Sequence, residues 1–343
     1  MKKILLASTA LVLSAVAANA QAFNVTGEGR MGLQYDDGAF VSPITGVSGN
    51  NGSNYRVENR LTLNFNVAVE ADHGLSFDAF TRARMQMGGG TATTFATNGT
   101  GVFSGSRVWV EANGLRLTFG NQDGAIQSAG VAMGYFGGCG VGYEGGQQCG
   151  DSAGLLAVSQ MFNSTGAAGG QRVQLTYTMG DIRFALSNDR GGATEIGIRG
   201  TFDAFTVALG WSNNNGSTPW VAIPAPAGPY APIAALAGAR PTGTLALSGR
   251  YNGGSWTVGA IIARVSTDAA APNDSFTNYA ISGSAALGGG NLYGYVGRTW
   301  DMSSYGLNYG YGLGGGATLM VGAERTGGTA NLTTASVGVA FTF

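Results

Sequence analysis

The sequence predicts an all-β fold, a sixteen-stranded antiparallel up-and-down transmembrane β-barrel. Three observations carry that expectation. Apolar and polar residues alternate in segments from one end of the chain to the other. The connections between these segments are short and long by turns. After the first twenty residues, no apolar run is long enough to cross a bilayer as a helix.

The chain opens with "MKKILLASTALVLSAVAANA", where Lys2 and Lys3 precede an apolar core from Ile4 to Ala18. Ala18-Asn19-Ala20 supplies a small-x-small cleavage site, so residues 1–20 read as a signal peptide and Gln21 as the mature start. An exported chain works in an oxidising compartment. Lys2 and Lys3 are the only lysines, so the mature chain carries 16 arginines against 19 carboxylates, a net charge of −3. No basic tract points to nucleic acid. Charged residues are 11% of the chain and glycine is 60 of 343, far below and far above their usual shares. That composition fits a secreted all-β protein or an outer-membrane barrel.

Strands are expected near 24–35, 55–70, 75–87, 106–112, 115–120, 171–179, 181–188 and 194–202. The second half adds 204–212, 244–251, 255–265, 276–287, 291–300, 304–312, 316–325 and 333–343. Every second connection is tiny: "ADHG" (71–74), "ANG" (112–114), "GD" (180–181), "DA" (203–204), "NGG" (252–254), "GGG" (288–290) and "LGGG" (313–316). Those between them run to 36–54, 88–105, 121–170, 213–243 and 266–275, with three shorter ones near 189–193, 301–303 and 326–332. Short turns at one end and long loops at the other are the pattern of an outer-membrane barrel. The Pro/Ala-rich stretch 217–243 has strands of one kind on both sides and reads as an outer loop.

Parity within the strands agrees. In 55–70, Tyr55, Val57, Leu61, Leu63, Phe65, Val67 and Val69 share one face, opposite Arg56, Glu58, Arg60, Thr62, Asn64, Asn66 and Glu70. Period two alone cannot say which face is inside. Strand length and the aromatics near strand ends (Tyr35, Tyr55, Trp211, Tyr251, Trp256, Tyr305, Tyr309, Tyr311 and Phe343) favour a bilayer crossing with apolar residues outward. The last stretch, "ASVGVAFTF", alternates up to Phe343, so it must pair and its apolar face must be covered. Closure against the first strand meets the first need, and lipid meets the second.

On this assignment Arg30, Arg56, Arg60, Arg82, Arg84 and Arg116 fall on the polar, channel-facing parity. A charge on the lipid face would cost about 2–4 kcal/mol at the midplane. Arg107 shares its parity with Trp109, which leaves its side open. The only cysteines, Cys139 and Cys149, lie ten apart in the long segment 121–170 and are expected to form a disulfide that stiffens it. The sole histidine, His73, sits in the "ADHG" turn, away from any ligand set, so no metal site is expected.

The leader, "VTGEGRMGLQY" (25–35), "SRVWVEANGLRLTFGNQDGAI" (106–126) and the strand ending on Phe343 together resemble one family. They are similar to the general diffusion porins of Gram-negative bacteria, in particular the alphaproteobacterial branch. The resemblance implies a homotrimer in the outer membrane, among its lipid and lipopolysaccharide, passing ions and small hydrophilic solutes. It implies an inward-folded third loop, here 121–170, acting as the constriction. Phe343 would be the residue read by the barrel-assembly machinery. Asp123, Glu144 and Asp151 of that loop would then face the arginines as a row of opposite charge, with Glu144 foremost. No cofactor is expected, although the loop carboxylates are of a kind that calcium accepts.

Other readings weigh less. G-x-G-x-x-G occurs at 27–32, 140–145 and 310–315, but none opens a helix after a strand, which argues against nucleotide binding. A barrel hydrolase would need His73 as its base, at the wrong end of the barrel. A structural or adhesin barrel acting through its outer loops is the alternative function, and a soluble secreted β protein is the third.

Overall fold

The structure, a computed structural model, describes residues 21–36, 55–87, 101–103, 105–131, 171–215, 238–299, 302–327 and 331–343. The first half contributes β1 (Gln21–Asp36), β2 (Tyr55–Ala71), β3 (Leu75–Met87), β4 (Gly101–Phe103), β5 (Arg107–Ala112) and β6 (Leu115–Asn121). A short helix, α1 (Ala125–Ala129), precedes β7 (Gln171–Met179), β8 (Ile182–Asp189), β9 (Thr194–Phe202) and β10 (Phe205–Ser212). The chain then runs through β11 (Pro241–Asn252), β12 (Trp256–Thr267), β13 (Ser275–Leu287), β14 (Gly290–Thr299), β15 (Met302–Gly314), β16 (Ala317–Gly327) and β17 (Asn331–Thr342).

All pairings are antiparallel between neighbours, and β1 pairs with both β2 and β17, so the sheet closes. β4 and β5 share one stave: both pair with β3, β4 opposite Ala83–Met85 and β5 opposite Ser76–Phe80. The barrel therefore has sixteen staves, as the alternation predicts. The three-residue β4 is a finding the sequence did not offer, because Gly101–Phe103 is too short to alternate and sits among glycine, serine and threonine.

Side chains sort as the pleat requires. Phe23, Met31, Leu33, Val57, Leu186, Ile196, Leu209, Leu247, Ile262 and Val337 are exposed on the outer face, where lipid replaces a core. Aromatic side chains mark both rims of that face. Tyr35 and Tyr55 pair at 5.2 Å near the long-loop end. Phe205, Tyr251 and Trp256 stack in sequence near the short turns, at 4.7 and 5.2 Å. Tight turns use left-handed residues where the sequence supplies them, as at Asn113 (φ 50°) followed by Gly114 (φ 78°).

The seam is sealed at the chain end. Gly27 N–H donates to the Phe343 carbonyl at 2.8 Å, and Phe343 N–H donates to the Gly27 carbonyl at 3.1 Å. The rings of Phe341 and Phe343 lie over Gly29 and Gly27 on the outer face, in the space a Cβ would take.

Candidate functional site

The inner face of β1–β6 is a continuous arginine wall. Arg30 and Arg60 stand opposite each other in register, Arg84 faces Thr62, and Arg82 faces Asn64. Glu28 bridges the first two, pairing with Arg30 and with Arg60 at 3.1 Å. Arg82 Nε donates to Asn64 Oδ1 at 2.8 Å, and Arg116 Nε donates to Glu111 Oε2 at 2.7 Å. Register settles the side of Arg107: it pairs with Phe80 and points inward along with Trp109. Its guanidinium lies 4.1 Å from the centre of the Phe80 ring, and that of Arg116 lies 5.0 Å from the Trp109 ring. Flat, delocalised cations can stack this way and keep their charge when crowded.

The wall continues past β6. Arg183 and Arg199 are direct neighbours across β8 and β9, and Arg172 pairs with Asp189 at 3.6 Å across β7 and β8. These three were missed in the sequence reading, although "QRVQL", "DIRFA" and "EIGIRG" place each on the same polar parity.

Residues 122–131 turn inward and lie on the inner face of β7–β10. Small residues make the bed. A Cβ at Gly197 would meet the Ala125 carbonyl oxygen and Ala129, and one at Gly210 would meet Ile126 and Val131. The first turn of a helix presents amide hydrogens with no partner inside it. Here the wall supplies the acceptors: Ser187 Oγ takes Ala125 N–H at 2.9 Å, and the buried Glu195 takes Ile126 N–H through Oε2 at 3.2 Å. Gln174 Nε2 donates to the Asp123 carbonyl and to Ser128 Oγ, both at 2.8 Å, and Arg172 Nη1 donates to the Gln122 carbonyl at 3.0 Å. Gly130, left-handed at φ 79°, ends the helix.

The rest of the interior differs. The inner face of β11–β13 carries Ala246, Ile261, Ala263, Val265, Phe276 and Ala280, all buried. The interior thus has a cationic wall on one side and an apolar shelf on another.

Of the residues singled out from the sequence, the structure brings Arg30, Arg60, Arg82, Arg84 and Arg116 onto one inner surface. Arg56 pairs with Gln34 on the same parity, and its side chain lies outside the described residues. Asp123 sits at the start of the inward segment and interacts electrostatically with Arg107. Cys139, Glu144, Cys149, Asp151 and the leader 1–20 lie outside the described residues. No cluster of metal-ligating side chains occurs among the described residues.

This geometry has known counterparts. Residues 7–331 match the family model described as Gram-negative porin. A triple mutant of the Rhodopseudomonas blastica porin shares 19% identity at a TM-score of 0.61, and a second mutant of that porin shares 20% at 0.62. Each comparison covers 94% of this chain and 100% of the other. No curated protein matches. The structural likeness carries the sixteen-stave fold, and the family match over almost the whole sequence carries the rest: the chain belongs to the Gram-negative porins, non-enzymatic diffusion channels of the outer membrane.

Proposed function

We propose that the barrel is a water-filled passive channel whose selectivity is set on the arginine wall of β1–β6, facing the carboxylates of 121–170. The observation that carries this is the inner surface itself. Arg30, Arg60, Arg82, Arg84, Arg107 and Arg116 share one face of a closed sheet whose other face is apolar. Opposed rows of charge create a field across the passage. Ions and small polar solutes orient in that field and exchange hydration water for charged side chains, while apolar solutes must displace ordered water and gain nothing in return. The Cys139–Cys149 disulfide would stiffen the segment that presents the acids, and no cofactor enters the reading.

Three further parts of the reading rest on the family. The chain assembles as a homotrimer among outer-membrane lipid, Phe343 serves as the signal for the barrel-assembly machinery, and residues 1–20 are cleaved on export. Planar bilayers test the channel directly: purified protein should give discrete conductance steps in multiples of three. Bilayers that stay silent despite insertion overturn the channel. Reversal potentials in a salt gradient should shift on Glu144→Gln, and an unchanged value removes Glu144 from the constriction.

A further inference from the structure

Three arginines stand on the wrong face of the barrel for a channel. Arg264 of β12 is opposite Thr277, Arg298 of β14 is opposite Tyr279, and Arg325 of β16 is opposite Tyr305. Their strand neighbours Ile262, Val296 and Tyr305 are exposed outer-face residues, so these arginines share the outward, lipid-side parity. Each is the ninth residue of its strand, counted from Trp256, Gly290 and Ala317. All three strands start from short turns and rise towards the long loops, so the three cations reach one level. From Arg264 to Arg298 the register steps two residues along β13, and from Arg298 to Arg325 it steps two along β14. That regular stagger is what tilted barrel strands give to points of equal height. Alternate strands lie about 10 Å apart, so the series is evenly spaced.

The level is that of the outer aromatic rim, with Tyr279 and Tyr305 beside Arg298 and Arg325. Near a bilayer interface an outward arginine costs almost nothing, unlike one at the midplane. No carboxylate shares the outward parity of β12–β16 among the described residues. Arg264 Nη2 donates to Ser275 Oγ at 3.0 Å, which aims its guanidinium along the rim. One outward position below Arg325 on β16, at Ala323, begins an apolar hollow of about 540 Å³. Leu33, Tyr55, Leu307, Val321, Ala323 and Val337 are among the side chains that line it.

We infer that this face binds a phosphorylated, multiply acylated lipid of the outer leaflet. The phosphates lie against Arg264, Arg298 and Arg325, and an acyl chain fills the hollow beside β16 and β17. Charge complementarity selects the anion, and the adjoining apolar hollow selects an amphiphile over a free ion. The inference rests on the outward parity meeting lipid, as the channel reading does, and it needs nothing from the arginine wall inside.

The probe is bisphosphorylated lipid A added to the purified trimer or monomer in detergent, read by native mass spectrometry. The combined variant Arg264→Gln, Arg298→Gln, Arg325→Gln should bind it about a hundredfold more weakly, since each arginine near an anionic headgroup is worth about a fivefold factor. Unchanged binding overturns the inference. Dephosphorylated lipid A bound equally well by the wild type also overturns it. Displacement of lipid A by millimolar inorganic phosphate alone would make this a free-anion site instead. Should the triple variant fail to fold, Arg325→Gln must still lose about fivefold and Arg325→Lys must recover most of it. Arg240→Gln, whose arginine is paired with Asp268 at the rim, should bind as the wild type does. Conductance is measured alongside: silent bilayers with lipid binding intact would defeat the channel reading only.

Discussion

Gly27 and Phe343 exchange both of their backbone hydrogen bonds, and the Phe343 ring occupies the space above Gly27 where a side chain would stand. The strand that ends the chain is thereby locked to the strand that begins the barrel, and a missing side chain on one makes room for an aromatic on the other. Gly27→Val must drive that ring off the seam. Overpacking of this kind costs about 1–3 kcal/mol, so the urea midpoint of protein refolded into vesicles should fall. An unchanged midpoint would mean the ring moves aside freely.

Gly197 is the tightest point of the bed under α1. Gly197→Val pushes on the Ala125 carbonyl and on Ala129, and the inward segment must lift from the wall. A stability loss of about 1–3 kcal/mol is expected, together with a changed single-channel conductance. Gly249→Ala, with open space at its Cβ, is the control and should stay within about 0.5 kcal/mol of wild type.

Glu195 tests the same contact from its polar side. Glu195→Ala leaves the Ile126 amide without its acceptor on a buried surface, which costs about 1–3 kcal/mol. Glu195→Gln keeps an oxygen in place and should cost less. Chemical unfolding and open-channel noise both report on it, and equal effects from the two variants would rule out the hydrogen bond as the cause.

The arginine wall makes a prediction of sign. Neutralising Arg60, Arg82 and Arg84 to Gln should move the reversal potential in a salt gradient towards the cation side. One unit charge about 4 Å from the ion path is worth about 1 kcal/mol in water, an upper bound of roughly fivefold in permeability ratio per arginine at low salt. The shift should shrink as salt rises. A potential that ignores all three substitutions would place the ion path elsewhere.

Much of this was legible from the sequence, for a physical reason. A strand between lipid and a polar interior has to alternate at every step, so Leu61, Leu63 and Phe65 declare their face without help from the fold. Turn lengths declare which end is which. The contact between Glu195 and Ile126 was not legible, because it joins residues 69 apart through a register that only the closed sheet defines. The reading of arginine as channel-facing was sound at mid-strand and silent about the rim, where the penalty vanishes. Arg264, Arg298 and Arg325 sit there, on the parity of Ile262, Val296 and Ala323.

The anchoring of residues 122–131 constrains how the passage can shut. Ser187, Gln174, Glu195 and Arg172 belong to four different strand positions of the wall, and together they hold this stretch as a fixed jetty rather than a hinged flap. Swinging it would tear four polar links from staves that are themselves tied into a ring. Any voltage-driven closure must therefore originate beyond Val131 or among the rim connections, and cross-linking Ala125 to the barrel should leave such gating intact.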